Sequence, residues 1–165
     1  MNPLIAHFQM MARYNWLANE RLYDCCARLS DAERKRNRRA FFESIHGTLN
    51  HIMVGDHNWM TRFEGGVSSS ARLDIILYDD FNELRAARVR EDERIERFAA
   101  ALNEEFLDGE IAWVNNEGKK YSDPIRVLLA HLFNHQSHHR GQVHDMLSQA
   151  GIATPVLDLN RVMLP

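Results

Sequence analysis

The amino-acid sequence predicts an all-α protein, a four-helix bundle with a small β-hairpin between its third and fourth helices. Three observations carry that prediction. Apolar residues recur at steps of three and four along four long stretches, the period of an amphipathic helix. Cap or stop residues bracket those stretches, and one interval between them places apolar and β-branched residues on either side of an Asn/Gly turn. At 165 residues the chain has the length of a single domain, residues 1–165, able to bury roughly two thirds of the surface its unfolded state exposes.

The first helix is expected from Pro3 to about Leu29, with Leu4, Phe8, Met11, Ala18, Leu22, Cys25 and Leu29 on its apolar stripe and Pro3 in the first turn, where its missing N–H does no harm. Cys25 on that stripe reads as a small core residue. Ser30-Asp31 opens a connection carrying Arg34, Lys35, Arg36, Arg38 and Arg39; beside the positive end of a following helix these side chains should splay into water, an anion site being the alternative. The second helix spans about Ala40 to Glu64, with Phe41, Ile45, Ile52, Trp59 and Phe63 on one face and Gly65-Gly66 as its stop. Gly65 to Tyr78, including Ser68-Ser69-Ser70, is long enough to let the third helix start from the opposite end of the bundle. Asp80 with Glu83 makes a capping-box-like start, and the third helix continues to about Phe106, its many Arg and Glu residues reading as a solvated face. Glu110–Asn115 and Lys119–Tyr121 flank Asn116-Glu117-Gly118 as the hairpin. Ser122-Asp123-Pro124 then caps the fourth helix, which ends at Ala150-Gly151. The tail from Thr154 holds Val156, Leu157, Leu159, Val162, Met163 and Leu164, too apolar to be free, and should pack on the bundle or on a second subunit.

Composition narrows the function. Net charge is −3 with 26% charged residues, which argues against broad nucleic-acid binding because that needs a strongly basic face. The adjacent pair Cys25-Cys26 forms neither a disulfide framework nor a C-x-x-C motif. No basic segment followed by an apolar one opens the chain, and no run of eighteen apolar residues could span a bilayer. The expected location is cytoplasmic.

Five of the nine histidines, His131, His135, His138, His139 and His144, fall within fourteen consecutive residues of the fourth helix. Residues four apart share a helix face, so His135 and His139 can aim two imidazoles at one point. With His135 at zero on a wheel of about 100° per residue, His139 lies near 40° on the apolar stripe, His131 and His138 at its edge, and His144 on the far side. A buried imidazole needs a partner, since an unpaired buried polar group costs about 1–3 kcal/mol. Two at this spacing suit a divalent metal; satisfied core or surface histidines are the plainer alternative, which spacing alone leaves open. In the second helix, His51 borders the apolar face next to Ser44, Gly47, Thr48 and Gly55, small residues that leave room for a neighbouring helix or a ligand.

Other chemistries fail on single residues. A metalloprotease H-E-x-x-H would need glutamate where Gln136 stands. A di-iron bundle needs two E-x-x-H motifs, and only Glu43-x-x-His46 fits, with His46 turned away from His51. What remains is a trio of nitrogens from His51, His135 and His139. Three protein ligands leave an open position on a zinc-type ion, where water or a thiol loses its proton near neutral pH.

Thr48-Leu49-Asn50-His51-Ile52 with Asp56 and Trp59, together with His131 through His139-Arg140-Gly141-Gln142, resembles the DinB family, the damage-inducible DinB/YfiT-like metalloenzymes, which are unrelated to the translesion polymerase sharing that label. The likeness runs from Tyr14-Asn15-Trp16 to Leu157-Asp158-Leu159. It implies an up-down-down-up bundle, a homodimer, and a three-histidine site for nickel, zinc or a similar divalent ion, whose ligands match His51, His135 and His139; His131 and His138 match no ligand position and are candidates for lining the pocket. Characterised relatives include S-transferases and isomerases that use small thiols. The resemblance therefore implies a metal-dependent thiol S-transferase or hydrolase acting on an electrophile, with a low-molecular-weight thiol as a second cofactor. The competing expectation is a non-catalytic metal-binding or stress-response module whose dimer surface binds a partner. Nucleic-acid binding through Arg34–Arg39 would show steep salt dependence and sits poorly with the net negative charge.

Overall fold

The computed structural model describes residues 2–68, 72–115 and 117–164. Among them the chain is mostly helical with one two-stranded antiparallel sheet: α1 (Pro3–Ala27), α2 (Asp31–Lys35), α3 (Ile45–Phe63), α4 (Phe81–Ala100), α5 (Glu104–Leu107), β1 (Glu110–Val114), β2 (Lys120–Pro124), α6 (Ile125–Gln149) and α7 (Leu159–Met163). α1 packs on α4 and α6, and α3 packs on the same two helices. No described helix is long and apolar enough to cross a membrane.

The caps explain most boundaries. Asn2 accepts a hydrogen bond from the Leu4 amide at 2.9 Å to start α1, Ser44 accepts from Gly47 to start α3, and Asp80 accepts from Asn82 and Glu83 to start α4, each satisfying an amide that the first turn leaves unpaired. Asn103 interrupts the predicted third helix: its side chain accepts from the Phe106 amide at 2.8 Å, so the chain closes α4 at Ala100 and restarts as α5. The fourth long helix begins at Ile125 rather than Ser122 because Ser122 and Asp123 pair with Ala112 and Ile111 in the sheet. Asp123 takes the Trp113 indole N–H at 2.7 Å instead of a helix amide. Of the predicted turn and connection, Asn116, Ser69 and Ser70 lie outside the described residues.

The second helix differs most from expectation. It starts at Ile45, not Ala40, because Ala40 and Glu43 close a tight turn by backbone pairing, with positive φ at Arg39 (59°) and Glu43 (63°). Phe41 is 86% exposed rather than on the core face. A Cβ at position 47 would come within 2.2 Å of the Phe42 carbonyl, so Gly47 is what lets this turn lie against α3. The basic cluster splays into water only in part: Arg36 and Arg39 are exposed, whereas Arg34 folds back on the C-terminal end of α1, donates to the Cys26 and Leu29 carbonyls and lies 4.2 Å over the Phe81 ring. Arg38 binds Glu33 at 2.9 Å. Cations at the negative end of a helix are favourable. Cys26, not Cys25, is the fully buried cysteine of α1.

The interior is layered. One apolar cluster gathers Phe8 of α1, Met60 and Phe63 of α3, Ile95 of α4, and Leu129 and Leu132 of α6. A second gathers Leu22, Leu49, Leu84 and Val143 of the same four helices. Between them in each helix lies a buried polar residue: Asn15 and Asn19, Asp56, Arg88 and Asp92, Gln136 and Arg140. Arg88 Nη1 lies 2.5 Å from Asp56 Oδ2 and Nη2 lies 2.9 Å from Asp92 Oδ1. The two asparagines donate to Asp92 at 2.9 and 3.0 Å and accept from Arg140. Part of the Arg and Glu face predicted to be solvated therefore belongs to the interior. The tail packs on α1, with Val162 against Tyr14 and Ala18 and the Tyr14 hydroxyl donating to the Leu157 carbonyl at 2.7 Å.

Arg88 serves two buried carboxylates at once. Replacing it with methionine is expected to destabilise the protein by about 3–5 kcal/mol, the cost of leaving buried charge unpaired, as read by chemical denaturation.

Candidate metal centre

α3 and α6 face each other along the stretch where His51 looks toward His135 and His139. Gly55, one turn beyond His51, makes the approach possible: a Cβ there would sit 2.8 Å from His135 Cε1. The structure brings the three predicted histidines together, each offering a ring nitrogen, with all these atoms within 4.8 Å of one another. His51 Nε2 lies 3.0 Å from His135 Nε2 and 3.1 Å from His139 Nε2. Among the described residues no carboxylate or thiol joins the group.

Hydrogen bonding on the far side of each ring tests whether a cation fits. His51 Nδ1 lies 2.8 Å from the Leu73 carbonyl, which can only accept, so that nitrogen carries the proton. His139 Nδ1 lies 2.8 Å from Gln142 Oε1, and the amide group of Gln142 faces His138 Nε2 at 3.3 Å, so His139 is protonated at Nδ1 too. Both Nε2 atoms of the neutral rings are then bare lone pairs. Two bare lone pairs 3.1 Å apart cannot hydrogen-bond each other. A shared cation resolves the contact: nitrogens roughly 2.0–2.1 Å from one tetrahedral ion stand about 3.4 Å apart, a few tenths beyond the separations seen. The donor set fits a divalent metal.

The electrostatics point the same way. Burial pushes His51 down from the ordinary 6.5 to about 4, opposed by its bond to Leu73. Burial, then the neighbouring His139 and His51, push His135 down to about 3. Burial lowers His139 as well. All three rings are neutral and able to donate lone pairs at pH 7.

One wall is aromatic. Phe42 stacks on His51 with ring centroids 3.7 Å apart and meets His139 edge-on. The other side opens into a cleft of about 400 Å³ lined by His51, His135, Trp59, Arg62, Trp113 and His131, among others. His131 thus lines the cleft, its ring edge-on to Trp59, while His138 packs edge-on to His139 and meets Gln142. His46 is turned to the Tyr78 carbonyl and takes no part. Sequence reasoning missed Phe42 and Leu73 and gave Gln142 no role of its own. Gln142 was within reach, being three residues past His139 on the same face; Leu73 acts through its backbone and carries no side-chain signal.

Two outcomes are expected. Gly55→Ala should move the His135 ring and weaken divalent-ion binding on the order of tenfold, read by competition with a chromophoric chelator. Because these histidines titrate below their unfolded value, the unfolded chain binds more protons between about pH 6.5 and 4, so stability of the metal-free protein should fall as pH drops through that window. His135→Gln should shrink that fall in thermal melts taken at each pH.

Comparison with known proteins follows the same lines. Over 154 residues, covering 88% of this chain and 87% of the relative, the sequence is 27% identical to Protein DinB of Bacillus subtilis strain 168. The match to the DinB family runs over residues 4–164 and takes in α1, α3, α4, α6 and all three clustered histidines; the chain belongs to the DinB family.

Proposed function

We propose that this protein is a divalent-metal enzyme of the thiol S-transferase or hydrolase kind, with His51, His135 and His139 as the ligands of a zinc or nickel ion. The observation that carries the reading is the pair of bare Nε2 lone pairs of His51 and His139, 3.1 Å apart beside the Nε2 of His135, at the inner end of an open cleft. A cation bound there would lower the pKa of a water or a small thiol so that it reacts as a nucleophile near neutral pH. The protein's own part is to fix and to shield. The Leu73 carbonyl and Gln142 hold two ligand rings in the metal-binding tautomer. Phe42 covers one side of the rings and leaves approach to the cleft side, where Trp59 and Trp113 meet edge-on and offer an apolar wall to an electrophile.

The reading includes an up-down-down-up four-helix bundle. It is supported by the order of the two apolar clusters, which α1 and α6 meet in one sequence and α3 and α4 in the reverse. It includes a cytoplasmic homodimer as well, for which sedimentation of the purified protein is the check.

Reconstituted protein should bind one equivalent of zinc or nickel by elemental analysis, melt several degrees higher with the ion, and convert electrophiles in a thiol-by-electrophile panel. His51→Ala should lose both the ion and the turnover. Wild-type protein that binds the ion yet matches His51→Ala across the panel would instead make the metal structural, the non-catalytic module.

A further inference from the structure

The cleft beside the histidines holds a cation that the reading above does not use. Arg62 sits at the far end of α3, half-buried, and lines both the 400 Å³ cleft and an adjoining one of about 550 Å³ bounded by Gly65–Ser68 and Ile111–Asn115. Its guanidinium lies 4.5 Å from the Trp59 ring centroid and 4.9 Å from that of Trp113, resting in the elbow of two rings that meet edge-on at 5.1 Å. Nε donates to Ser68 Oγ at 3.0 Å and Nη2 points to the Val114 carbonyl at 3.4 Å. Among the described residues no carboxylate stands within ion-pair distance, although of the other half-buried arginines Arg34, Arg38, Arg85 and Arg94 each have one and Arg21 alone does not. Glu117, the one carboxylate on the cleft wall, is exposed and outside that distance.

A half-buried guanidinium without a counter-ion is costly, and burial alone lowers the Arg62 pKa. Contact with two indoles and the bonds to Ser68 and Val114 hold the fork, so its outward donors are in place before a ligand arrives. Arg62 stands seven residues beyond Gly55, where His135 packs, or about 10 Å along the helix axis. His131 and Trp59 fill the wall between, and the Arg62 charge is felt at His131. One fixed cation, with a carboxylate elsewhere on the wall, matches a monoanion better than a dianionic phosphate.

We propose that Arg62 is the anchor for the carboxylate of the ligand: the cleft takes a small organic molecule with an apolar body against Trp59 and Trp113, a carboxylate on Arg62, and its reactive end about 10 Å away at the three histidines. This deepens the metal-site reading and rests on it for the reactive end, whereas the anchor itself can be measured without any ion.

The test has two arms. In metal-free protein, tryptophan fluorescence is titrated with 4-phenylbutyrate and with 4-phenylbutanol. The acid should bind about tenfold or more tightly than the alcohol, as a charge-assisted pair on a stacked guanidinium implies. Arg62→Gln should level the two, and Arg62→Lys should restore part of the difference. Equal affinity for acid and alcohol in the wild type, or an acid preference surviving in Arg62→Gln, overturns the anchor. Phenyl phosphate binding more tightly than the carboxylate overturns the ligand class. In the second arm, protein loaded with cobalt(II) is titrated with ω-mercaptocarboxylates of increasing chain length, following the thiolate-to-cobalt absorption. Affinity should peak for a spacer on the order of 10 Å, and Arg62→Gln should abolish the peak while the absorption band persists. A flat length dependence in the wild type overturns the spanning pose. Absence of the band in every case, with the acid preference intact in the first arm, sinks the three-histidine reading and leaves Arg62 standing as an anion site.

Discussion

Charge that cannot reach water must meet an opposite charge or hydrogen-bond acceptors inside the protein, and this constraint fixes how the four long helices sit against one another. Arg88 and Arg140 are each about 2% exposed, Asp92 is 2% exposed and Asp56 is fully buried. Their partners come from α1, α3, α4 and α6 together. Buried ion pairs often add little net stability over a well-packed apolar core. Their effect here is on register. A slip of α3 by one turn, about 5.4 Å, would carry Asp56 out of reach of Arg88 and into an apolar layer, at the full penalty of an unpaired buried carboxylate. Gly55 precedes Asp56, His135 precedes Gln136, and His139 precedes Arg140. On α6 the residues of the polar layer and those of the histidine cluster are chain neighbours, and on α3 Asp56 follows the glycine against which His135 packs, so whatever fixes the height of one fixes the height of the other.

The histidine cluster inverts the logic of that layer. In the layer Arg88 meets two carboxylates and Arg140 meets the amides of Asn15 and Asn19; in the cluster the neutral rings of His51 and His139 direct their protons outward, leaving lone pair facing lone pair. Desolvation keeps imidazolium from forming there, as the lowered pKa values of His51 and His135 show. A carbonyl from the α3–α4 connection and an amide from α6 set the tautomers. The stacked Phe42 ring keeps one side dry, so the open side belongs to the cleft.

Periodicity made α1, α3, α4 and α6 legible, because burying an amphipathic stripe leaves a 3.6-residue trace in the chain. Caps such as Asn103 and the pairing of Ser122 and Asp123 in the sheet were less legible, since one short polar side chain serves a helix start, a helix break or a strand edge equally well. His135 and His139 stood out because both lie on one helix and on its apolar stripe. Their meeting with His51 is a tertiary fact, reached in the sequence by eliminating other chemistries and by the family resemblance. Arg88 and Glu91 misled for a physical reason: charged residues on a helix normally mark the wet side, and only partners brought in by the fold, such as Asp56 of α3 for Arg88, make them interior. Cys25 and Cys26 differ by a single step of about 100° on the wheel, finer than the apolar pattern resolves.

The hydrogen bond from His51 to Leu73 ties a ligand ring to the connection between α3 and α4. Binding at the ring and docking of that segment are therefore thermodynamically linked, and the factor by which one favours the other holds in both directions. A contact that drew Leu73 away would let the His51 imidazole rotate and exchange its protonated nitrogen, loosening the hold on any cation bound there from a position outside the cleft. Leu73 itself is 44% exposed, so this tether lies where another molecule can touch it, and the setting of the His51 ring is shared between the helical interior and a strip of surface backbone.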